Sequence, residues 1–341
     1  MSLILVYDVA ASTSGALGIL QSYHARAIDD RDNGYIFLVS VPELASSKNV
    51  RVKRFPWVKK SWLHRLIFDL FIGPKIVRDY SPDSILSLQN TMMPLVKIRQ
   101  TVYEHNCIPK PFCDISFNFF KDPNLWIRQN ILGAMVVRSL KKASHVIVQT
   151  KWMARCCSAN IGIDEAKITV EPPFINVLPT EKYRRIYPTI FFYPATEMPF
   201  KNHRIIVDAC RLIRASHPDS VYRVLFTLNG AESRKISRAK HEIEKDSLPI
   251  EFLGWKKQDE VYDLYAKSIL LFPSLMESFP LPLYEARKVG TPVIAPDLPY
   301  AREALSGYVG ASFYNAESAE ALSEVMLRGM RGDLGPDNHA K

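Results

Sequence analysis

No apolar run in this 341-residue sequence approaches the roughly 18 to 20 residues that a membrane-spanning helix needs. The opening MSLILVYDVAAS is too short for a signal peptide and lacks a basic lead-in, so a cytoplasmic protein is expected. Cysteine is scarce. Five residues, at 107, 113, 156, 157 and 210, form an odd set without C-x-x-C spacing, which supports neither a disulfide framework nor a zinc site. They read as buried or idle thiols in a reducing compartment. A single D-x-D occurs in DDRDNG (29–34), but it lies between a helical and a strand pattern next to a glycine and reads as a polar turn. No metal is expected.

What is present is the composition of a folded globular protein: 47% apolar residues, 23% charged, and a formal net charge of +9. The length exceeds one ordinary core and suits two domains. The positive balance points to an anionic partner, whether a nucleotide, a membrane surface or a nucleic acid.

Short β-branched and aromatic runs alternate with longer amphipathic stretches, the rhythm of βα units around a parallel sheet. In the first half the strands are expected at 3–9, 35–41, 84–90, 100–106 and 144–150. Helical patterns lie between them, such as ALGILQSYHARAI and LWIRQNILGAMVVRSLKKA. The second half repeats the rhythm with strands at 189–195, 223–229, 250–255, 269–274 and 291–296. The segment 169–189 holds four prolines and no sustained periodicity, so it reads as a linker that separates residues 1–175 from 176–341. Ligands of parallel α/β sheets bind beyond the carboxyl ends of the strands. Two such domains facing one another would share a central cleft.

Glu277 and Glu285 stand eight positions apart in ESFPLPLYEA, with Pro280 and Pro282 between them. An apolar strand ends at Pro273, a loop carries Glu277, and a helix is expected to begin near Pro282, because proline suits a first helical turn. Gly290 then closes that helix, and Glu285 is expected on its first turn. A carboxylate can accept two hydrogen bonds from a vicinal diol such as a ribose. The backbone N–H groups around Phe279 and Leu281 would meet a phosphate at the helix start.

Glu-x7-Glu in this strand–loop–helix setting resembles the signature of the family 4 retaining glycosyltransferases, which have the two-domain GT-B fold. Two further segments carry the resemblance: FFYPATEMPFKNHRIIVDACRLI and IEFLGWKKQDEVYDLYAKSILLFPS. It implies an α/β protein of two Rossmann-like domains, with an acceptor-binding domain at 1–175 and a nucleotide-sugar-binding domain at 176–341. It also implies a retaining, metal-independent transfer of a hexose-type sugar from a nucleoside diphosphate to an acceptor hydroxyl. A lipid-linked saccharide in cell-surface polysaccharide synthesis is the implied acceptor, and no cofactor is needed because the nucleotide sugar is a substrate. Glu285 would hold the ribose hydroxyls, Glu277 would touch the sugar, and the Phe279–Pro280–Leu281 backbone would approach sugar and phosphate. Lys201, with Asn202 in the same FKNH stretch, matches the lysine that binds the donor diphosphate, and Gly254 and Trp255 lie where main-chain groups meet the base. Gly15, in STSGALG, matches a glycine-bearing loop near the reaction centre. His105, in YEHN, falls where a residue near the acceptor or the transferred sugar is expected, and Glu104 and Asn106 share that position. Catalytic roles are thus expected for Lys201, Glu277 and His105. In the family a diphosphate oxygen helps to deprotonate the acceptor, so no dedicated base is assigned.

Two departures stand out. Where the family has an arginine six residues before its lysine, this chain has Ala195, with Arg204 and Lys256 as possible substitutes. The chain also stops without the family's final crossing helix. These departures keep two other readings open: a GT-B sugar-nucleotide epimerase, and a non-catalytic nucleotide-binding partner subunit. Finally, RVKRFPWVKKSWLHR (51–65) has six lysines or arginines, three aromatics and no acid. No recognisable nucleic-acid-binding fold accompanies it, so it reads as a seat for an anionic membrane surface, peripheral on the inner face.

Overall fold

A computed structural model describes residues 2–12, 14–173 and 181–334. Residues 174–180 of the expected linker and 335–341 of the tail lie outside the described residues. The chain divides into two compact units, Met1–Ile175 and Asn176–Lys341.

The first unit is built on seven strands: β1 (Leu3–Asp8), β2 (Gly34–Val39), β3 (Val50–Arg54), β4 (Ser84–Ser87), β5 (Arg99–Glu104), β6 (His145–Val148) and β7 (Ile168–Val170). They pair in the order β3-β2-β1-β4-β5-β6-β7, all parallel. The second unit pairs six parallel strands in the order β10-β9-β8-β11-β12-β13. These are β8 (Thr189–Tyr193), β9 (Tyr222–Phe226), β10 (Ile250–Phe252), β11 (Ile269–Leu271), β12 (Val293–Pro296) and β13 (Ala311–Tyr314). Central strands of a parallel sheet are covered on both faces and therefore read as unbroken apolar runs. TIFFY of β8 and ILL of β11 are buried at every residue.

All ten strands expected from the sequence are present, and three more join them. β3, β7 and β13 escape a search for apolar runs: VRVKR alternates with charge at a sheet edge, while ITV and ASFY are only three and four residues long. The basic stretch 51–65 takes in four of the five residues of β3, a short 3₁₀ turn (Pro56–Lys59) and the start of a helix (Trp62–Ile67).

Both sheets are covered on two faces. In the first unit Val6, Phe37 and Val39 pack with Ile19, Leu20 and Ala27 of the helix Ser14–Asp29. Their strand neighbours Leu5, Tyr7, Ile36 and Leu38 point the other way, onto Phe68, Ile76 and Val77. The alternation follows from the period of two along a strand.

Candidate functional site

In the second sheet the chain runs β8-β9-β10 in one direction and β11-β12-β13 in the other, so β8 and β11 flank the topological switch point, where open α/β sheets bind ligands. The loop leaving β8 carries Lys201 and the loop leaving β11 carries Glu277. The structure brings the two together: Lys201 Nζ lies 2.5 Å from Glu277 Oε1, and both side chains are largely buried. Each loop is fastened. The Tyr193 hydroxyl, inside the core, donates to the Lys201 carbonyl at 2.7 Å, and Leu275 N–H donates to the Phe200 carbonyl at 2.8 Å. Asn202 closes the turn Pro199–Lys201 in a left-handed conformation (φ 53°) and starts the helix His203–Ser216. The Lys201 ammonium also lies within 6 Å of the Phe200 and Phe272 rings (5.7 and 5.9 Å), so its charge is held in apolar surroundings beside one carboxylate.

Beyond Glu277 the Phe279 ring stacks on Tyr284 at 4.4 Å, and Pro280 precedes the helix Leu281–Val289, with Pro282 in its first turn. Gly290, at φ 86°, ends that helix in the left-handed conformation. Two details differ from expectation. Leu281 N–H is already engaged by the Phe279 carbonyl at 2.9 Å. Glu285 is the fifth helical residue and therefore sits on the second turn, where it is 5% exposed. An acid favoured only by the helix dipole would lie in the first turn and in water. Glu285 instead accepts hydrogen bonds from the buried Tyr265 hydroxyl (3.2 Å) and from Gln258 Nε2 (3.4 Å), and burial raises its pKa. Each carboxylate oxygen keeps one further lone pair.

Gly254 has φ 70°, and a Cβ there would come within 2.6 Å of Asn229 Oδ1, so glycine is required both by conformation and by close approach. Its N–H is taken by the Leu228 carbonyl. The adjacent Trp255 is 75% exposed, an unusual cost for a ring that size. Of the two cations considered for the place of the missing arginine, Arg204 is turned away: it is paired with Asp208 and Glu242. Lys256 is paired with Glu260 at 3.2 Å, beside the helix that supplies Gln258 to Glu285.

In the first unit β1 and β4 flank the corresponding switch point. Gly15 lies in the first turn of the helix Ser14–Asp29 rather than in a loop, and a Cβ on it would meet nothing within 4 Å, so the fold itself does not demand glycine there. His105 sits just past β5, its Nε2 3.1 Å from the Leu88 carbonyl, and burial lowers its pKa. Glu104 is fully buried; Asn106 N–H donates to its Oε1 at 2.8 Å, and burial lifts its pKa well above the usual carboxylate range. The sequence reading passed over Asp8, the last residue of β1. Its Oδ1 accepts from Ala11 N–H at 2.9 Å, its Oδ2 has no hydrogen-bond partner among the described residues, and burial pushes its pKa up to about 7. An acid closing an otherwise apolar strand was the signal that could have found it. The D-x-D turn is a polar connection: Asp30 accepts from Tyr35 Oη and from the Asp32 and Asn33 N–H groups.

Residues 185–337 match the family model of the group 1 glycosyl transferases. The second unit is a group 1 glycosyl transferase domain. Over 302 residues the chain is 22% identical to the O-antigen chain mannosyltransferase RfbU of Salmonella typhimurium, covering 85% of this chain and 75% of that protein. Among solved structures, HepE from Anabaena in complex with UDP-glucose superposes with a TM-score of 0.66 at 14% identity, covering 97% of this chain and 90% of that one. WaaG, a glycosyltransferase involved in lipopolysaccharide biosynthesis, does so with a TM-score of 0.67 at 13% identity, covering 96% and 90%. Both likenesses span the two units, and the fold is GT-B, two parallel-sheet α/β domains. The glycosyltransferase is thus an enzyme whose second unit carries the Lys201–Glu277 pair at the switch point.

Proposed function

We propose that this glycosyltransferase moves a hexose-type sugar from a nucleoside diphosphate to a hydroxyl of a saccharide acceptor, with retention at the anomeric carbon, in the assembly of a cell-surface polysaccharide. The observation that carries the reading is the ion pair of Lys201 and Glu277 at the switch point, followed in the chain by the buried Glu285. Charge grows on the departing diphosphate, and a fixed cation in apolar surroundings stabilises that charge more than water would. Lys201 supplies it, and Glu277 both holds the ammonium in place and accepts from sugar hydroxyls. Glu285 takes the ribose diol with the lone pairs that Tyr265 and Gln258 leave open, while Gly254 and Trp255 meet the base. HepE in its complex with UDP-glucose supports a nucleotide-sugar donor. RfbU, named as an O-antigen chain mannosyltransferase, and WaaG support a saccharide acceptor, which we take to be lipid-linked.

On the acceptor side, Asp8 Oδ2 is a buried acceptor without a partner among the described residues, and a buried acceptor left unpaired is costly enough to mark a functional place. We assign it to an acceptor hydroxyl, with His105 at the end of β5 near the same edge. The chemistry needs neither a metal nor a further cofactor. Incubating the purified chain with a panel of UDP- and GDP-sugars, with and without saccharide acceptors, tests the reading. Nucleoside diphosphate should be released only when an acceptor is present; acceptor-free conversion of the nucleotide sugar would instead mark an epimerase, and nucleotide binding without turnover a non-catalytic subunit.

A further inference from the structure

A cavity of about 470 Å³ lies in the first unit between the helix that runs from Pro123 to Lys142 and the turn Lys110–Phe112. Its walls are fixed from both sides. Gly133 lets the helix approach the segment before the turn, since a Cβ there would come within 3.3 Å of Pro109, and Asn160 Nδ2 donates to the Pro111 carbonyl at 2.7 Å. The volume is that of a small-molecule site.

Four cations line the cavity, Lys110 from the turn and Arg138, Lys141 and Lys142 from the helix, and no carboxylate lines it. Among the described residues none of the four has an ion-pair partner. The helix dipole accounts for Lys141 and Lys142, which stand in the last turn. It does not account for Arg138, placed three and four residues before them, where like charges on one helix face repel. Nor does it account for Lys110, which opens its own turn. Elsewhere the chain answers its clustered cations with acids: Arg204, Arg211 and Arg238 share Asp208, Glu242 and Asp246. The cavity keeps its charge for a ligand.

The lining narrows the kind of anion. Pro111, Ala134 and Val137 offer apolar surface, while Asn130 donates through Nδ2 to the Trp126 carbonyl at 2.9 Å and its Oδ1 accepts from none of the described residues. The buried Gln129 is already engaged with Phe117 N–H and the Ile115 carbonyl. No aromatic ring is among the described residues of the lining, so the stacking that holds nucleotides is missing. A lone inorganic anion would leave most of the volume unfilled. A sugar ring fits better, with a C–H face for the apolar side chains and hydroxyls for the amide. Acid groups repeated along a saccharide also suit cations spread over two elements. The turn is close in the chain to the acceptor side as well: Lys110 follows His105 by five residues, so at most about 18 Å separates them, a span of a few sugars.

We infer that this cavity binds an acidic saccharide through its carboxylate or phosphate groups, taking the sugars that lie behind the accepting hydroxyl. That the saccharide is the acceptor rests on the transfer reaction proposed above. The binding itself needs neither donor nor turnover.

The test is calorimetry of the full chain, at low salt, with hexagalacturonate, maltohexaose and a hexaglutamate peptide. Hexagalacturonate should bind at least about tenfold more tightly than the neutral saccharide or the peptide. Arg138→Gln/Lys141→Gln/Lys142→Gln should weaken it by about tenfold or more, whereas Lys48→Gln/Arg51→Gln/Lys97→Gln, which removes the same charge from exposed positions elsewhere in the unit, should stay within about twofold of wild type. Circular dichroism and thermal midpoints confirm that both variants are folded. Equal losses in the two variants would overturn the proposal, because only net charge would then matter. So would hexaglutamate bound as tightly as hexagalacturonate, or a wild type that does not bind hexagalacturonate. A chain that binds hexagalacturonate in this cavity yet turns over no nucleotide sugar would support the site and refute the transfer reaction alone.

Discussion

Glu285→Gln separates nucleotide recognition from folding. The side chain keeps its length and loses one of the two oxygens that we propose are offered to a ribose diol. A hydrogen bond to a charged group contributes about 1.5 to 3 kcal/mol, so the affinity for the free nucleoside diphosphate should fall roughly 10- to 150-fold. Stability should barely move. Burial already disfavours the charged form of Glu285, whose pKa is raised, and glutamine is neutral and still pairs with Tyr265 and Gln258. Glu285→Ala is the contrasting case. It strands the fully buried Tyr265 hydroxyl at a cost of about 1 to 3 kcal/mol and opens a cavity besides, so it should lower the unfolding free energy visibly. Calorimetry with UDP and with GDP, beside urea denaturation, reads both quantities. If Glu285→Gln binds whichever diphosphate the wild type binds within twofold of the wild-type affinity, the ribose assignment is wrong, whatever happens to turnover.

Glu277→Gln should show the opposite pattern, with diphosphate affinity within about threefold of wild type and kcat reduced by tenfold or more, because its proposed ligand is the group being transferred; equal losses in both would refute the placement on the sugar. Asp8 has a folded pKa of about 7 against an ordinary value of 3.8. The folded state thus holds a proton that the unfolded state has released, and this contribution to stability is full below pH 4 and disappears as pH rises through 7. Asp8→Asn should gain on the wild type by up to about 4 kcal/mol between pH 4 and pH 8 in urea titrations, and a pH-independent difference would show that Asp8 is not buried as described. The same substitution should raise the KM for the acceptor without changing donor affinity.

The architecture is legible where burial and sequence pattern coincide. Strands covered on both faces leave continuous runs such as TIFFY and ILLFP, whereas the edge strand VRVKR carries its charge into solvent and looks like a basic patch. Pro282 and Gly290 mark the ends of their helix because each has a local conformational reason to be there. The gathering of Tyr265 and Gln258 on Glu285 left no trace in the sequence, since those residues come together only when the helix Gln258–Tyr265 packs on Leu281–Val289. Asp8 was missed for a related reason: its isolation is a property of the packed sheet edge and not of the strand that ends in it.

The proposed stabilisation of the leaving diphosphate by Lys201 in a retaining transfer is tested most directly by proton NMR of the anomeric centre as the purified chain turns over donor and acceptor. The wild type should give a product with the donor's anomeric configuration and one nucleoside diphosphate per transfer. Lys201→Gln, which keeps a hydrogen bond to Glu277 but not the charge, should lose at least about 3 kcal/mol of transition-state stabilisation, roughly a hundredfold in rate. A product of inverted configuration, or a Lys201→Gln enzyme that transfers at the wild-type rate, would contradict it.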